Sequence, residues 1–98
     1  MDPDLTQHAY ERSVQRNLTY DEICFIVEHG ARVRRTGVIY CQMRARCLPP
    51  DLPPGHAYRR LVGSTVVLSS SGDRVITVYR EPAAFKRDRR KAKFNRHC

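Results

Sequence analysis

The stretch Thr19-Tyr20-Asp21-Glu22-Ile23-Cys24-Phe25-Ile26-Val27-Glu28-His29-Gly30, continued by Ala31-Arg32-Val33-Arg34-Arg35, decides the fold class. Its first part reads as a helix. Thr19 and Glu22 stand three apart as a capping box: the hydroxyl accepts the Glu22 N–H while the carboxylate reaches back to the Thr19 N–H. Leu18 and Ile23 occupy the positions of a hydrophobic staple, and Ile23, Ile26 and Val27 form an apolar stripe at helical spacing. Gly30 is placed to end the helix in a left-handed conformation. Beyond it the period changes from helical to two. Ala31 and Val33 alternate with Arg32 and Arg34, as in a strand with one buried face.

Working back towards the N-terminus, residues 4–16 read as an earlier helix, with Asp4 available to accept backbone N–H bonds at its start. At 100° per residue Tyr10 and Val14 fall on one side, and His8, Arg12 and Arg16 lie almost opposite. Leu5 interrupts that polar stripe.

Working forward, Thr36-Gly37 marks a turn and 38–48 reads as a long strand. Ile39, Cys41, Met43, Ala45 and Cys47 line one face of it, with Val38, Tyr40, Gln42, Arg44 and Arg46 on the other. That alternation fits a sheet covered on one face only. Pro49-Pro50-Asp51-Leu52-Pro53-Pro54-Gly55-His56 is a surface loop, because four prolines remove the backbone donors a strand or helix needs. Residues 61–69 form the next strand, with a bulge or close backbone approach at Gly63. Ser70-Ser71-Gly72-Asp73 turns the chain into a last strand, 75–80, rich in β-branched residues. The expected architecture is α+β: two N-terminal helices packed on a four-stranded antiparallel sheet. Residues 1–85 form one domain, and 86–98 a basic C-terminal tail.

The chain has 98 residues, enough for one core, and a net charge of +8. The charge is clustered. From Arg80 onward, Arg80, Lys86, Arg87, Arg89, Arg90, Lys91, Lys93 and Arg96 face only Glu81 and Asp88, so this segment carries +6 of the +8. Such a cluster steers polyanions, which makes RNA or the ribosome the expected partner. An acidic, antitoxin-like protein would fit the same charge. No apolar run approaches the roughly 18 residues of a membrane helix. Met1-Asp2-Pro3-Asp4 lacks the basic start of a secretory signal, so a cytoplasmic location is expected. In that compartment Cys24, Cys41 and Cys47 read as small buried or half-buried thiols.

Gly-rich phosphate loops, HExxH, GxSxG and structural zinc spacings are absent from the sequence, as are acidic pairs suited to magnesium. No cofactor and no metal are therefore expected, and RNA cleavage by such a chain would run without one. The RNA 2′-hydroxyl would attack its own phosphate, helped by a proton carrier and by cations near the developing charge. His8, Arg12 and Arg16 supply those residue types on one helical face. Thr77, Tyr79 and Arg80, ending the last strand, would complete a catalytic site if the first helix packs beside them. The bland alternative is a solvated basic face that binds phosphate without chemistry. Lys86, Arg87, Arg89, Arg90, Lys91 and Lys93 are the expected nucleic-acid contacts of the tail. Tyr40, Tyr58 and Phe94 are candidate platforms for stacked bases. His56 and His97 read as exposed and incidental.

The segment from Gln7 through Arg16 to Thr19, then Glu22, Val27 and Gly30, resembles the opening of domain-of-unknown-function family 4258. The likeness continues through Val66-Val67-Leu68, Gly72 and the ending Val75-Ile76-Thr77-Val78-Tyr79-Arg80. The resemblance implies a helix–helix–sheet order similar to the barnase/colicin/RelE-like ribonucleases, which include toxins of toxin–antitoxin pairs. On that analogy the chain is a metal-independent endoribonuclease of toxin type. The competing expectations are a non-catalytic RNA- or ribosome-binding module and a protein-interaction domain.

Overall fold

The computed structural model describes residues 3–80. The basic tail, with Lys86, Arg87, Arg89, Arg90, Lys91, Lys93 and Phe94, lies outside the described residues, as does the short basic helix or tail expected over 83–93. Five strands and two helices follow one another as β1 (Asp4–Leu5), α1 (Gln7–Gln15), α2 (Tyr20–His29), β2 (Ala31–Arg35), β3 (Val38–Gln42), β4 (Ser64–Leu68) and β5 (Arg74–Arg80). The class is α+β. The sheet is mixed and five-stranded, in the order β1-β5-β4-β3-β2, which corrects the expected four antiparallel strands.

The extra strand comes from residues expected to begin the first helix. Asp4 pairs with Arg74 and Leu5 with Val75, parallel to β5. The Asp4 N–H donates to the Asp73 carbonyl at 3.1 Å and the Thr6 N–H to that of Val75 at 3.1 Å. Thr6, not Asp4, is therefore the N-cap of α1, and its hydroxyl accepts the Ala9 N–H at 3.1 Å. The same hydroxyl donates to the Ile76 carbonyl at 3.1 Å, tying the helix start to β5. Two residues carry too little periodicity to announce a strand; only pairing with a distant partner makes one.

The capping box and staple stand as read. The Glu22 N–H donates to the Thr19 hydroxyl at 3.1 Å and the Thr19 N–H to the Glu22 carboxylate at 2.9 Å, while Leu18 and Ile23 are both buried. Gly30 departs from expectation. Its backbone is extended, with φ −69° and ψ 157°, not left-handed. Glycine is required for a different reason: a Cβ there would sit 2.7 Å from the Ile26 carbonyl oxygen and 3.2 Å from that of Gln42. The helix thus hands over to β2 pressed against β3.

Thr36 and Gly37 both take positive φ, 48° and 80°, the twist a two-residue hairpin needs. β3 ends sooner than expected, at Gln42. Beyond Met43 and Arg44 the chain turns into a 3-10 helix at Ala45–Cys47. A second 3-10 helix, Ala57–Leu61, replaces the start of the expected 61–69 strand. Between them, the Arg59 guanidinium donates to the carbonyls of Pro53, at 2.7 Å, and Leu52, which clips the proline loop in place. Gly63 makes the expected close approach: with φ 98° its N–H reaches the Met43 carbonyl at 2.9 Å. The bulge lies elsewhere. Val67 pairs with Thr77 and Leu68 with Val75, so Ile76 is the extra residue on β5. In the β4–β5 turn, hydrogen bonds from the Ser71 and Ser69 hydroxyls pull the Asp73 carboxyl below its usual range.

Both helices cover the same face of the sheet. Ala9, Ile23 and Ile26 bury against Ile39, Cys41, Val66, Leu68, Val75 and Val78 in one core that also takes in Met43 and Leu61. Register places Val33, Tyr40, Val67 and Thr77 in one row on the opposite face and Gln42, Thr65 and Tyr79 in the next. Val33, Gln42, Thr65 and Val67 in those rows are buried too, so the expectation of a second face open to solvent does not hold at its centre. Among the described residues no helix is long and apolar enough to cross a membrane.

Candidate nucleic-acid interface

α1 presents its residues differently from the simple wheel. Ala9 and Ser13 are its buried positions, small enough to let the helix lie close on β5. Tyr10 and Val14, the apolar pair in the sequence, are 58% and 63% exposed. Ser13 tolerates burial because its hydroxyl donates to the Tyr10 carbonyl at 2.7 Å. Arg12 is half-buried beside that small-residue stripe, with its guanidinium 3.4 Å from the Gln15 side-chain oxygen. His8 is exposed in the first turn, and Arg16, also exposed, closes the helix with its N–H on the Arg12 carbonyl at 2.9 Å.

α1 packs on β5, yet the pleat divides the candidate site. Thr77 pairs with Val67 and Tyr79 with Thr65, on the sheet face turned away from both helices. Only Arg80 returns to the helical side, where its guanidinium donates to the Arg60 carbonyl at 2.8 Å. His8, Arg12 and Arg16 therefore share α1, Arg80 joins them at the helical side, and Thr77 and Tyr79 do not.

Arg60 is the residue that sequence reasoning missed. Its guanidinium donates to the Asn17 carbonyl at 3.1 Å and to the Glu22 carboxylate at 2.6 Å. Asn17, with φ 58°, forms the corner between α1 and α2 immediately after Arg16. Asparagine tolerates that left-handed backbone better than most residues. Arg60 thus links Arg80, at the end of β5, to the corner that carries Arg16. A signal was present: the box carboxylate on a buried helix face has one oxygen committed to Thr19, and the other needs a cation. Arg60 is half-exposed and its charge is matched by Glu22. Among the described residues the structure gives Arg12, Arg16 and Arg80 no carboxylate partner.

A ring file lies nearby in the chain. Phe25 is 4.5 Å from His29 and 4.5 Å from Tyr58, centroid to centroid, and Tyr58 is 4.9 Å from His56. Tyr40, the other aromatic candidate among the described residues, sits half-buried on the far face of the sheet.

No group of three or more His, Cys, Asp or Glu side chains is arranged to hold a metal among the described residues. Cys41 is fully buried, and burial pushes its thiol up to about 11 despite the opposing pull of Arg32. A thiol so protonated is a poor nucleophile. Compared with models of known protein families, with curated proteins and with solved structures, the chain matches none.

Proposed function

We propose that this protein binds RNA, through arginines gathered where the two helices meet the end of the sheet. One observation carries the reading: the Arg80–Arg60–Asn17 chain of hydrogen bonds, which brings the end of β5 to the corner next to Arg16. Guanidinium groups without carboxylate partners are suited to fork onto phosphate oxygens. The cations at 86–93 begin six positions after Arg80 in the sequence and add to the same attraction. The ribosome is one body of RNA that such a surface would meet.

Catalysis is the second reading, supported by the exposed His8 one turn ahead of Arg12. A metal-independent endoribonuclease needs a proton donor and a proton acceptor. With Thr77 and Tyr79 on the opposite face, His8 is the imidazole that α1 offers beside Arg12 and Arg16. Binding is therefore the better supported of the two.

The test is an RNA-binding titration at several salt concentrations, run beside a cleavage assay in EDTA. Arg80→Ala and Arg16→Ala each weaken binding and each lower the salt slope by about 1. His8→Ala leaves affinity nearly unchanged. Salt-independent affinity, or none, sinks the RNA reading. Cleavage by the wild type that disappears in both His8→Ala and Arg12→Ala, with folding intact, would make the enzyme reading the correct one.

A further inference from the structure

The file His29–Phe25–Tyr58–His56 joins the last turns of α2 to the 3-10 helix that follows the proline loop. Its inner rung has an ordinary explanation, since Phe25 and Tyr58 pack against the core. The imidazoles at its two ends, being polar rings, add little to that packing, and His56 instead caps the 3-10 helix Ala57–Leu61. His56 is exposed, yet it is not loose. Its Nδ1 accepts the Tyr58 N–H at 3.1 Å, which fixes the ring edge-on to the tyrosine at an interplanar angle of 68°. Arg59 holds the proline loop on the same stretch of chain through its bonds to Pro53 and Leu52. Preorganised rings of this kind lose little freedom when another flat ring is added.

Tyr58 and Arg60 lie in the same 3-10 helix, less than one turn apart. Arg60 in turn carries Arg80 on its carbonyl. Tyr58 thus ties the ring file to the 3-10 helix whose Arg60 carbonyl holds Arg80, while the Arg60 guanidinium itself is matched by Glu22. That combination suits a strand whose bases are free to leave the stack, whereas a duplex keeps its base faces covered.

Resting on the RNA reading, we infer that the RNA is single-stranded, and that an unpaired base stacks on the Tyr58–His56 end of the ring file. The partner class follows from two requirements: a ring on which the base stacks, and for the backbone the Arg80 guanidinium held at the carbonyl of the same 3-10 helix.

The experiment compares a labelled, unstructured 12-nucleotide RNA with a blunt duplex of equal length, by fluorescence anisotropy on the full chain. The variants are Tyr58→Leu, which keeps apolar bulk against Phe25, and His56→Ala, which at an exposed position removes the outer ring together with its hydrogen bond from the Tyr58 N–H. Circular dichroism melts check that each variant is folded. The wild type prefers the single strand, and each variant loses about five- to tenfold in single-strand affinity with duplex affinity unchanged. If Tyr58→Leu does not fold, His56→Ala decides. Equal affinity for strand and duplex, or variants indistinguishable from wild type, overturns base stacking and leaves RNA binding standing. Failure of the wild type to bind either RNA overturns the RNA reading itself, and this inference with it.

Discussion

Glu22 and Arg60, 38 residues apart in the chain, meet at 2.6 Å, and the same carboxylate also accepts the backbone N–H of Thr19. One side chain therefore closes the start of α2 and fastens the 3-10 helix Ala57–Leu61 to it. Glu22 is 6% exposed, so its carboxylate oxygens rely on these protein partners for their hydrogen bonds.

Removing Arg60 leaves a nearly buried carboxylate oxygen without its cation. Arg60→Ala should cost about 1–2 kcal/mol, held down by the half-exposed position of the arginine. Glu22→Ala should cost more, because the cap is lost as well. In a double-mutant cycle followed by urea denaturation, the two losses add to more than the loss in the double variant. Strict additivity would mean that the contact contributes nothing to stability.

Two glycines are expected to fail for opposite reasons. Gly30→Ala forces a Cβ to 2.7 Å from the Ile26 carbonyl, and should cost about 1–3 kcal/mol by overpacking although its φ suits any residue. Gly37 has φ 80° and open space around it, so Gly37→Ala should cost about 1–2 kcal/mol through backbone strain alone. Asparagine separates the cases: Gly37→Asn recovers much of the loss, while Gly30→Asn is no better than Gly30→Ala. Thermal denaturation of the four variants gives the answer, and a recovery by Gly30→Asn would contradict the steric account.

Cys41 makes stability depend on alkaline pH. Burial raises its thiol from an ordinary 9.0 to about 11, so between these values the unfolded chain has given up its proton while the folded one keeps it. Deprotonation then favours unfolding. Stability due to this group is complete below pH 9 and declines as pH rises through 11. Cys41→Ala should be less stable at neutral pH because of the cavity, yet show a shallower decline from pH 9 to 11 than the wild type. In native buffer at neutral pH the Cys41 thiol should resist iodoacetamide until the chain unfolds, as peptide mass mapping would show. Rapid native alkylation at Cys41 would contradict its burial.

Where the chemistry was local, the amino-acid sequence by itself determined the outcome. Thr19 to Glu22 made the capping box, Thr36-Gly37 made the hairpin turn, and the change of period after Gly30 separated helix from strand. Each depends on residues within a few positions of one another, and in these three places no distant partner overruled them. The net charge and its concentration after Arg80 belong to the same class.

The tertiary structure decided whatever depends on a partner far along the chain. Asp4 and Leu5 are a strand only because β5 offers its edge, and Thr6 caps α1 only because that strand stops before it. Tyr10 and Val14 are exposed because α1 uses Ala9 and Ser13 to approach β5 closely, where bulk would hold the helix off. Thr77 and Tyr79 are parted from His8, Arg12 and Arg16 by the two-residue pleat of β5, a separation that sequence proximity to Arg80 conceals. Arg60 reaches Glu22, Asn17 and Arg80 across 20 to 43 residues of chain, and no spacing rule spans that distance; only the packed core brings them together.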